Sequence, residues 1–177
     1  MYNKYPMMYN NIMGYLFFKE IMIVKENIEK EYYDNGQIRC EGYSLNYRTH
    51  REGKPAIIHY YKNGKIQCEE YYVNSQPHRE DGPAVIYYYK NGKIKSERYY
   101  IDGKRHRDDG PAVIYYWGSG KIQREIYYIK DNLHREDGPA IANYWDGGKM
   151  WYEEYYLNGK EITDEFQILV IKGLGMK

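Results

Sequence analysis

Residues 78–105, HREDGPAVIYYYKNGKIKSERYYIDGKR, form a stretch that recurs through most of the 177-residue chain. Close copies begin at His106 and His134, and a less similar copy begins at His50. A further copy, which lacks the start of the unit, begins at Ile28. The copies that start with histidine follow one another every 28 residues, without insertion or deletion. Self-similarity at a fixed period of this length is typical of a repeat array, in which each unit contacts only its neighbours.

Each copy is predicted to form one β-hairpin. Residues 84–90 are a β-branched and aromatic run, Asn91-Gly92 follows, and residues 93–101 form a second run. Asn-Gly between two such runs predicts a two-residue type I′ turn, which needs a positive φ at both central residues. Residues 102–111 contain glycine, proline and charged side chains and predict a loop. The expected fold is all-β, with five hairpins forming an elongated, twisted antiparallel sheet of about ten strands.

The two ends of the chain do not follow the repeat. We assign residues 1–27 to an N-terminal cap, residues 28–161 to the five hairpins and residues 162–177 to a C-terminal cap. No apolar run in the N-terminal cap reaches the roughly 18 residues that a membrane span needs, and the cap is expected to cover the first hairpin. Residues 163–172 fit either a short helix or one more edge strand.

Strand alternation separates two faces of the predicted sheet. A two-residue turn would pair Ile86 with Glu97 and Tyr88 with Lys95. The face that carries Ile86 hardly changes between copies, and we call it the uniform face; the opposite, varied face changes from copy to copy and is free to carry a specific contact. Exposed tyrosine, tryptophan and arginine dominate binding hot spots. The candidate protein-binding residues are therefore Arg98, Tyr100, Arg124, Ile126, Tyr128, Trp145 and Tyr152.

Charged residues that recur in every copy are interpreted as structural. Carboxylates on the uniform face would be costly to bury alone, so we expect an arginine–glutamate ion pair in each repeat. The aspartates before Gly-Pro would brace the loop as turn formers. The residues assigned to this structural repeat are His78, Arg79, Glu97, His106, Arg107, Glu125, His134, Arg135 and Glu153.

Neither a catalytic nor a metal-binding residue is assigned. The tripeptide at His106 resembles the catalytic loop of protein kinases, but the rest of that signature is missing, and an enzyme needs one site rather than four evenly spaced copies. Histidines one repeat apart cannot share an ion whose ligand bonds are near 2 Å. We therefore expect no enzyme and no cofactor. The aromatic column of Tyr61, Tyr89, Trp117 and Trp145 is interpreted as cross-strand packing rather than a base- or sugar-stacking platform.

Charge and cysteine content limit the partners and the compartment. The 26 Lys and Arg residues nearly balance the 25 Asp and Glu residues, so the net charge of +1 gives no footprint for nucleic acid and no support for membrane binding. Cys40 and Cys68 occupy the same position of adjacent repeats, about 9–10 Å apart if two strands separate them, which is too far for a disulfide. Two free thiols indicate a reducing compartment, the cytoplasm, or the host cytoplasm for a viral protein.

The repeated unit resembles the membrane occupation and recognition nexus (MORN) repeat, and most closely its antitoxin-like variant. The resemblance covers about residues 28–161 and is carried by Tyr88-Tyr89-Lys90-Asn91-Gly92, Glu97-Arg98-Tyr99-Tyr100 and Gly110-Pro111-Ala112. In its longer period and its high content of Tyr, Asn, Lys and Ile, the chain is similar to repeat proteins of giant DNA viruses of amoebae. The resemblance implies an elongated hairpin sheet for protein–protein contact or assembly and no catalytic residue. We expect a non-catalytic scaffold; the alternatives are a homo-oligomeric structural protein and a peripheral membrane-surface module.

Overall fold

The computed structural model describes residues 26–173, and the protein is nearly all β over that range. A single α-helix follows the last strand of the described part. In chain order the elements are β1 Glu26–Tyr32, β2 Ile38–Leu45, β3 Arg48–Thr49, β4 Ile57–Tyr60, β5 Ile66–Glu70, β6 Tyr72–Val73, β7 Gln76–Pro77, β8 Val85–Tyr88, β9 Ile94–Arg98, β10 Tyr100–Ile101, β11 Lys104–Arg105, β12 Val113–Tyr116, β13 Ile122–Ile126, β14 Tyr128–Ile129, β15 Asn132–Leu133, β16 Ile141–Tyr144, β17 Met150–Glu154, β18 Tyr156–Leu157, β19 Lys160–Glu161 and α1 Glu165–Ile171.

The predicted long sheet is confirmed. Its strands follow the order β1-β2-β4-β5-β8-β9-β12-β13-β16-β17, every neighbouring pair is antiparallel, and β3 adds to β2. Strand order therefore follows chain order, as an array of consecutive hairpins requires. The sheet remains open, with β1 at one end and β17 at the other.

The predicted type I′ turn at Asn91-Gly92 is wrong. The amide of Gly92 donates to the carbonyl of Tyr89 at 2.8 Å, and the amide of Tyr89 donates to the carbonyl of Lys93 at 2.8 Å. This is a three-residue loop in which Gly92 has a positive φ of 89° and Asn91 does not. The Asn91 side chain instead accepts a hydrogen bond from the amide of Lys93 at 3.0 Å, as an Asx turn does.

A bulge beyond the turn restores the expected pairing. Next to the three-residue loop Tyr88 faces Ile94 rather than Lys95, so the predicted pairing of Tyr88 is wrong. The register then shifts by one residue, and Ile86 faces Glu97 as predicted. Lys95 is the extra residue of a β-bulge, which leaves one residue of a strand without a partner. The same shift occurs in the other hairpins of the sheet.

Each repeat also holds a second, two-stranded hairpin, where the prediction was the end of the second strand run followed by a loop. In one such minor hairpin, β10 pairs with β11 across Asp102-Gly103, whose φ angles are 48° and 76°. Two positive φ angles across a two-residue connection are those of a type I′ turn. Successive minor hairpins are linked by backbone hydrogen bonds, such as that from the amide of Gly103 to the carbonyl of Pro77 at 2.9 Å.

The core is thin and follows the sheet from repeat to repeat. On the uniform face Ala84, Ala112 and Ala140 have no exposed surface, and Ile86 and Ile114 are at most 8 % exposed. On the varied face Val113, Ile126 and Ile141 form a cluster against the side chains of a minor hairpin, among them Tyr128 and Leu133. Both faces therefore contribute to stability, since burial of apolar surface is what drives folding.

The cysteines and the C-terminal segment agree with particular expectations. Cys40 and Cys68 both face His59 from opposite sides, so two strand spacings separate them, and both are free thiols. Asp164 caps α1 by accepting from the amide of Gln167 at 2.9 Å, so the helix and not the edge strand is found here. Within residues 26–173 no helix has the length and hydropathy of a membrane span. The predicted N-terminal cap lies almost wholly outside the described residues.

Candidate interaction surface

The glutamates of the uniform face are bound by tyrosines of the following repeat. The hydroxyl of Tyr88 donates to Glu69 at 2.6 Å, and Tyr116 donates to Glu97 at the same distance. Tyr144 repeats the contact with Glu125 at 2.8 Å. Burial raises the pKa of each of these phenols, and the hydrogen bond and charge of its glutamate raise it further. Each repeat boundary is therefore closed by a phenol–carboxylate hydrogen bond.

The predicted arginine–glutamate ion pair is wrong. Arg107 Nε instead lies 2.8 Å from the Asp109 carboxylate, and its guanidinium lies 4.1 Å from the centre of the Tyr99 ring. The Glu97 carboxylate is bound by the hydroxyl of Tyr116 instead. Arg79 and Arg135 make the equivalent contacts with Asp81 and Asp137 and with the rings of Tyr71 and Tyr127.

The imidazoles of the repeated histidines bind the minor hairpins, except that of His106, whose Nδ1 is buried without a hydrogen-bond partner among the described residues. Nδ1 of His78 accepts a hydrogen bond from the amide of Asp102 at 3.1 Å, and His134 accepts one from the amide of Asn158 at the same distance. The amide of His106 donates to the carbonyl of Tyr99 at 3.1 Å. Among the described residues no group of three or more His, Cys, Asp or Glu side chains could hold a metal ion.

One aromatic residue follows the first strand of each hairpin in the long sheet, and it links its repeat to the next. The hydroxyls of Tyr33, Tyr61 and Tyr89 donate to the carbonyls of Tyr60, Tyr88 and Tyr116, each at 2.7 Å. Trp117 continues the series, and its indole Nε1 donates to the carbonyl of Tyr144 at 3.1 Å. We call this series the aromatic ladder. It crosses each repeat boundary next to the turn, whereas the phenol–carboxylate bonds cross it on the uniform face.

The aromatic ladder ends at Trp145, in the last repeat. No acceptor for its indole N–H lies among residues 26–173, and the side chain is 56 % exposed. Its ring lies 5.3 Å from that of Trp151, which in turn lies 5.7 Å from the ring of Tyr152. Trp151 and Tyr152 are 53 % and 42 % exposed. These three residues form the C-terminal aromatic patch.

A shallow pocket adjoins the C-terminal aromatic patch. Three tryptophans line it together with planar polar side chains, and Nε of Arg124 is buried there without a hydrogen-bond partner in the described part of the chain. Tryptophan and arginine in one place are typical of binding hot spots. The lining includes Trp117, Gln123, Arg124, Asn143, Trp145 and Trp151.

The structure separates the seven candidate binding residues. Trp145 and Tyr152 lie together in the exposed patch, and Arg124 lies beside it. Ile126 is only 8 % exposed because it packs against Val113 and Ile141, so its assignment as an accessible anchor is wrong. The remaining three, Arg98, Tyr100 and Tyr128, are half-buried.

Trp151 belongs to the patch but was not among the candidate residues. It is the bulge residue of the last hairpin, and the same position holds Gln67, Lys95 and Gln123 in the preceding copies. A tryptophan where other copies hold a polar residue was a usable signal. The bulge that brings its ring to Trp145 was not visible in the repeat pattern.

Comparison with known proteins supports the repeat assignment. The MORN repeat variant family matches residues 25–46, 57–74 and 84–102. These segments hold β1 and β2, then β4 to β6, then β8 to β10, so three successive repeats of the array are matched. No curated protein matches the chain. MORN repeats typically mediate protein or membrane interactions and are generally non-catalytic. The chain thus contains tandem β-hairpin repeats similar to those of the MORN repeat variant family.

Proposed function

We propose that the protein is a non-catalytic repeat scaffold that binds a partner protein through the C-terminal aromatic patch. The exposure of Trp145, Trp151 and Tyr152 is the observation that carries this proposal. Adjacent large aromatic side chains left in water mark interaction sites more often than isolated ones. The likeness to MORN repeats supports an interaction role in general, and the exposed patch supports its assignment to this end of the sheet.

Repeat architecture alone does not require the aromatic patch. The position of Tyr152 holds Cys68 and Ser96 in two earlier copies, and both of these are 2 % exposed. Small residues therefore satisfy the fold at this position. A bulky exposed ring there adds contact area for a partner and no interior packing, which is the pattern expected of a binding residue.

Affinity purification from the native cell, followed by mass spectrometry, tests the proposal. The wild-type chain is compared with a Trp145→Ala/Trp151→Ala variant and with Tyr32→Ala as a matched control. Tyr32 is 58 % exposed but lies in β1, at the opposite end of the sheet. We expect a protein that is retained by wild type and control and lost from the double variant. Equal retention by all three would contradict the proposal.

Self-association through the same patch is the alternative to binding a partner protein, and light scattering distinguishes the two. A mass that doubles with concentration for wild type, but not for the double variant, would assign the patch to a homo-oligomer. Membrane-surface binding is tested by co-sedimentation with anionic vesicles, for which the net charge of +1 supplies little attraction. The free thiols Cys40 and Cys68 support a cytoplasmic location, which for a viral protein would be the host cytoplasm.

A further inference from the structure

Each internal repeat offers the next repeat two hydrogen-bond donors at the edge of the sheet. One is a backbone amide: that of Tyr99 donates to the carbonyl of Ala112 at 2.7 Å. The other is the aromatic ladder: the hydroxyl of Tyr89 donates to the carbonyl of Tyr116 at 2.7 Å. Both acceptors belong to the first strand of the following repeat or to the residue just before it.

The last repeat presents the same two donors without a following strand. The counterpart of Tyr99 is Tyr155, which is 4 % exposed and whose amide has no acceptor in the described range. The counterpart of Tyr89 is Trp145, whose indole N–H is likewise unpartnered among those residues. Tyr155 is buried, so its unpartnered amide costs free energy that an added acceptor would recover. Trp145 is exposed, and its indole N–H would exchange water for the acceptor.

Lys172, the C-cap of helix α1, lies on the uniform face of this end. Lys172 follows Glu153 by the same 19 residues that separate Tyr116 from Glu97, and its Nζ lies 2.6 Å from the Glu153 carboxylate. The ammonium thus takes the position of the missing phenol. On the varied face nothing among residues 26–173 takes the place of a next strand, and the C-terminal aromatic patch is exposed there.

We propose that the outer edge of β17 accepts an extended segment of a partner protein as an added antiparallel strand. In this pairing a backbone carbonyl of the segment accepts from Trp145, and another accepts from the amide of Tyr155. Strand addition of this kind supplies affinity through main-chain hydrogen bonds and specificity through alternate side chains. The inference rests on the proposed function and names the kind of partner that the C-terminal end takes.

The internal register defines which side chains the added strand needs. Where β9 meets β12, Arg98 faces Val113 and Ser96 faces Tyr115. In β17 the corresponding positions are Glu154 and Tyr152, so the segment faces a carboxylate and then, two residues later, a large ring. The hydroxyl of Tyr152 donates to one oxygen of the Glu154 carboxylate, and a lysine or arginine of the segment would pair with the remaining negative charge.

A small residue is expected opposite Tyr152. In three internal junctions a small side chain faces a large one at this position: Cys40 faces His59, Cys68 faces Tyr87 and Ser96 faces Tyr115. Because Tyr152 supplies the large side chain from β17, its partner must be small for the pair to fit between the strands. The residue between these two positions faces Glu153, and the internal junctions place isoleucine or alanine opposite the equivalent glutamates, so an apolar residue such as valine is expected there.

A second copy of this chain does not fit the edge through its own β1. In the same register Glu29 of the incoming β1 would face Glu154, and Glu31 would face Tyr152. Carboxylates directly opposite each other destabilise an antiparallel pair. Charged side chains on β1 protect that edge against end-to-end growth, as edge strands commonly require.

The test uses a synthetic peptide, Thr-Thr-Lys-Val-Ser-Thr-Thr, titrated into the full chain and followed by NMR of the Trp145 indole and the Tyr155 amide. A peptide with glutamate in place of lysine is the matched probe. We expect both resonances to shift with the lysine peptide, and we expect the glutamate peptide to bind at least fivefold more weakly. In the Trp145→Phe variant, which keeps the ring and removes the donor, affinity should fall about three- to tenfold, whereas Trp151→Phe should change it less.

Strand addition would be overturned by any of three results. These are equal affinity for the two peptides, no shift of the Tyr155 amide resonance, or an unchanged peptide affinity in the Trp145→Phe variant. The proposed function is judged separately by the affinity purification. If a protein is still lost from the Trp145→Ala/Trp151→Ala variant while the lysine peptide does not bind, the patch binds its partner in another way. If both experiments fail, the interaction role of this end is wrong as well.

Discussion

The hydroxyl of Tyr116 donates a hydrogen bond of 2.6 Å to the carboxylate of Glu97 across a repeat boundary. Removing the hydroxyl leaves a half-buried carboxylate without that partner. We therefore expect Tyr116→Phe to lower the free energy of unfolding by about 1–3 kcal/mol, measured by chemical denaturation. Tyr115→Phe is the matched control, because Tyr115 lies next to it on the varied face and makes no hydrogen bond through its hydroxyl in the described structure. Equal effects of the two substitutions would refute the role given to this bond.

Alkaline pH is expected to destabilise the whole array. Burial is the main reason that the pKa of Tyr60 rises from 10.0 to about 12, and the neighbouring Glu41 carboxylate adds to it. The pKa of Tyr72 rises to about 12 for the same reasons, with Glu70 as its neighbour. A pKa raised by folding contributes stability that is complete below the unfolded value and is lost as pH rises through the folded one. The free energy of unfolding should therefore fall between pH 10 and pH 12.

Absorbance of the phenolate group checks the alkaline prediction directly. In denaturant all tyrosines should titrate near their ordinary pKa of 10.0. In the folded protein a distinct fraction should titrate later, together with the loss of the circular-dichroism signal of the sheet. A folded-state titration that superimposes on that of the denatured chain would contradict the prediction.

Arg107 is expected to stabilise mainly through the ring beneath it. Its guanidinium lies 4.1 Å from the Tyr99 ring centre, and its ion pair with Asp109 is largely in water. A cation–π contact at a partly exposed site contributes about 0.5–1 kcal/mol, and exposed ion pairs contribute less. Arg107→Leu should therefore lower the melting temperature more than Asp109→Asn does. The reverse order, read by differential scanning calorimetry, would assign the stability to the ion pair.

The positive φ of Gly92 is expected to make this position sensitive to any side chain. Its φ is 89°, and a Cβ added there would meet no atom within 4 Å, so the cost of a side chain is backbone strain alone. Gly92→Ala should lower the free energy of unfolding by about 1–2 kcal/mol. Gly118→Ala is the control: it also has open space around it but no positive φ, and it should be neutral or slightly stabilising.

The register of the sheet was predictable even though the turn was not. A three-residue loop moves Tyr88 one residue away from its expected partner, and the bulge at Lys95 moves the pairing back before Ile86. The two deviations cancel. The alternation that buries one face of the strand fixes the pairing of Ile86 with Glu97, whereas the two-letter Asn-Gly signal does not separate a two-residue turn from a three-residue one.

The minor hairpins were missed, although Asp102-Gly103 is a dipeptide typical of a type I′ turn. Their strands are two residues long, as in Tyr100–Ile101, and so carry no alternation to detect. The contact of Arg107 with Tyr99 depends on the minor hairpin β10–β11. This hairpin leaves the long sheet, and the loop that follows it then folds back and places Arg107 over the Tyr99 ring. The candidate patch was predictable only in part for a similar reason: Trp145 and Tyr152 differ visibly from their copies, but their contact with Trp151 needs the bulge.

The similarity of the repeat boundaries has a consequence for the length of the molecule. If residues 78–105 were deleted, Glu69 would meet the hydroxyl of Tyr116 in place of that of Tyr88, so the phenol–carboxylate bond would form again at the new junction. Gaining or losing one 28-residue unit thus changes the distance between the two ends by about 9–10 Å, two strand spacings, and leaves the chemistry of both ends untouched. Duplication or loss of whole repeats in the gene can therefore change the length of the array in equal steps.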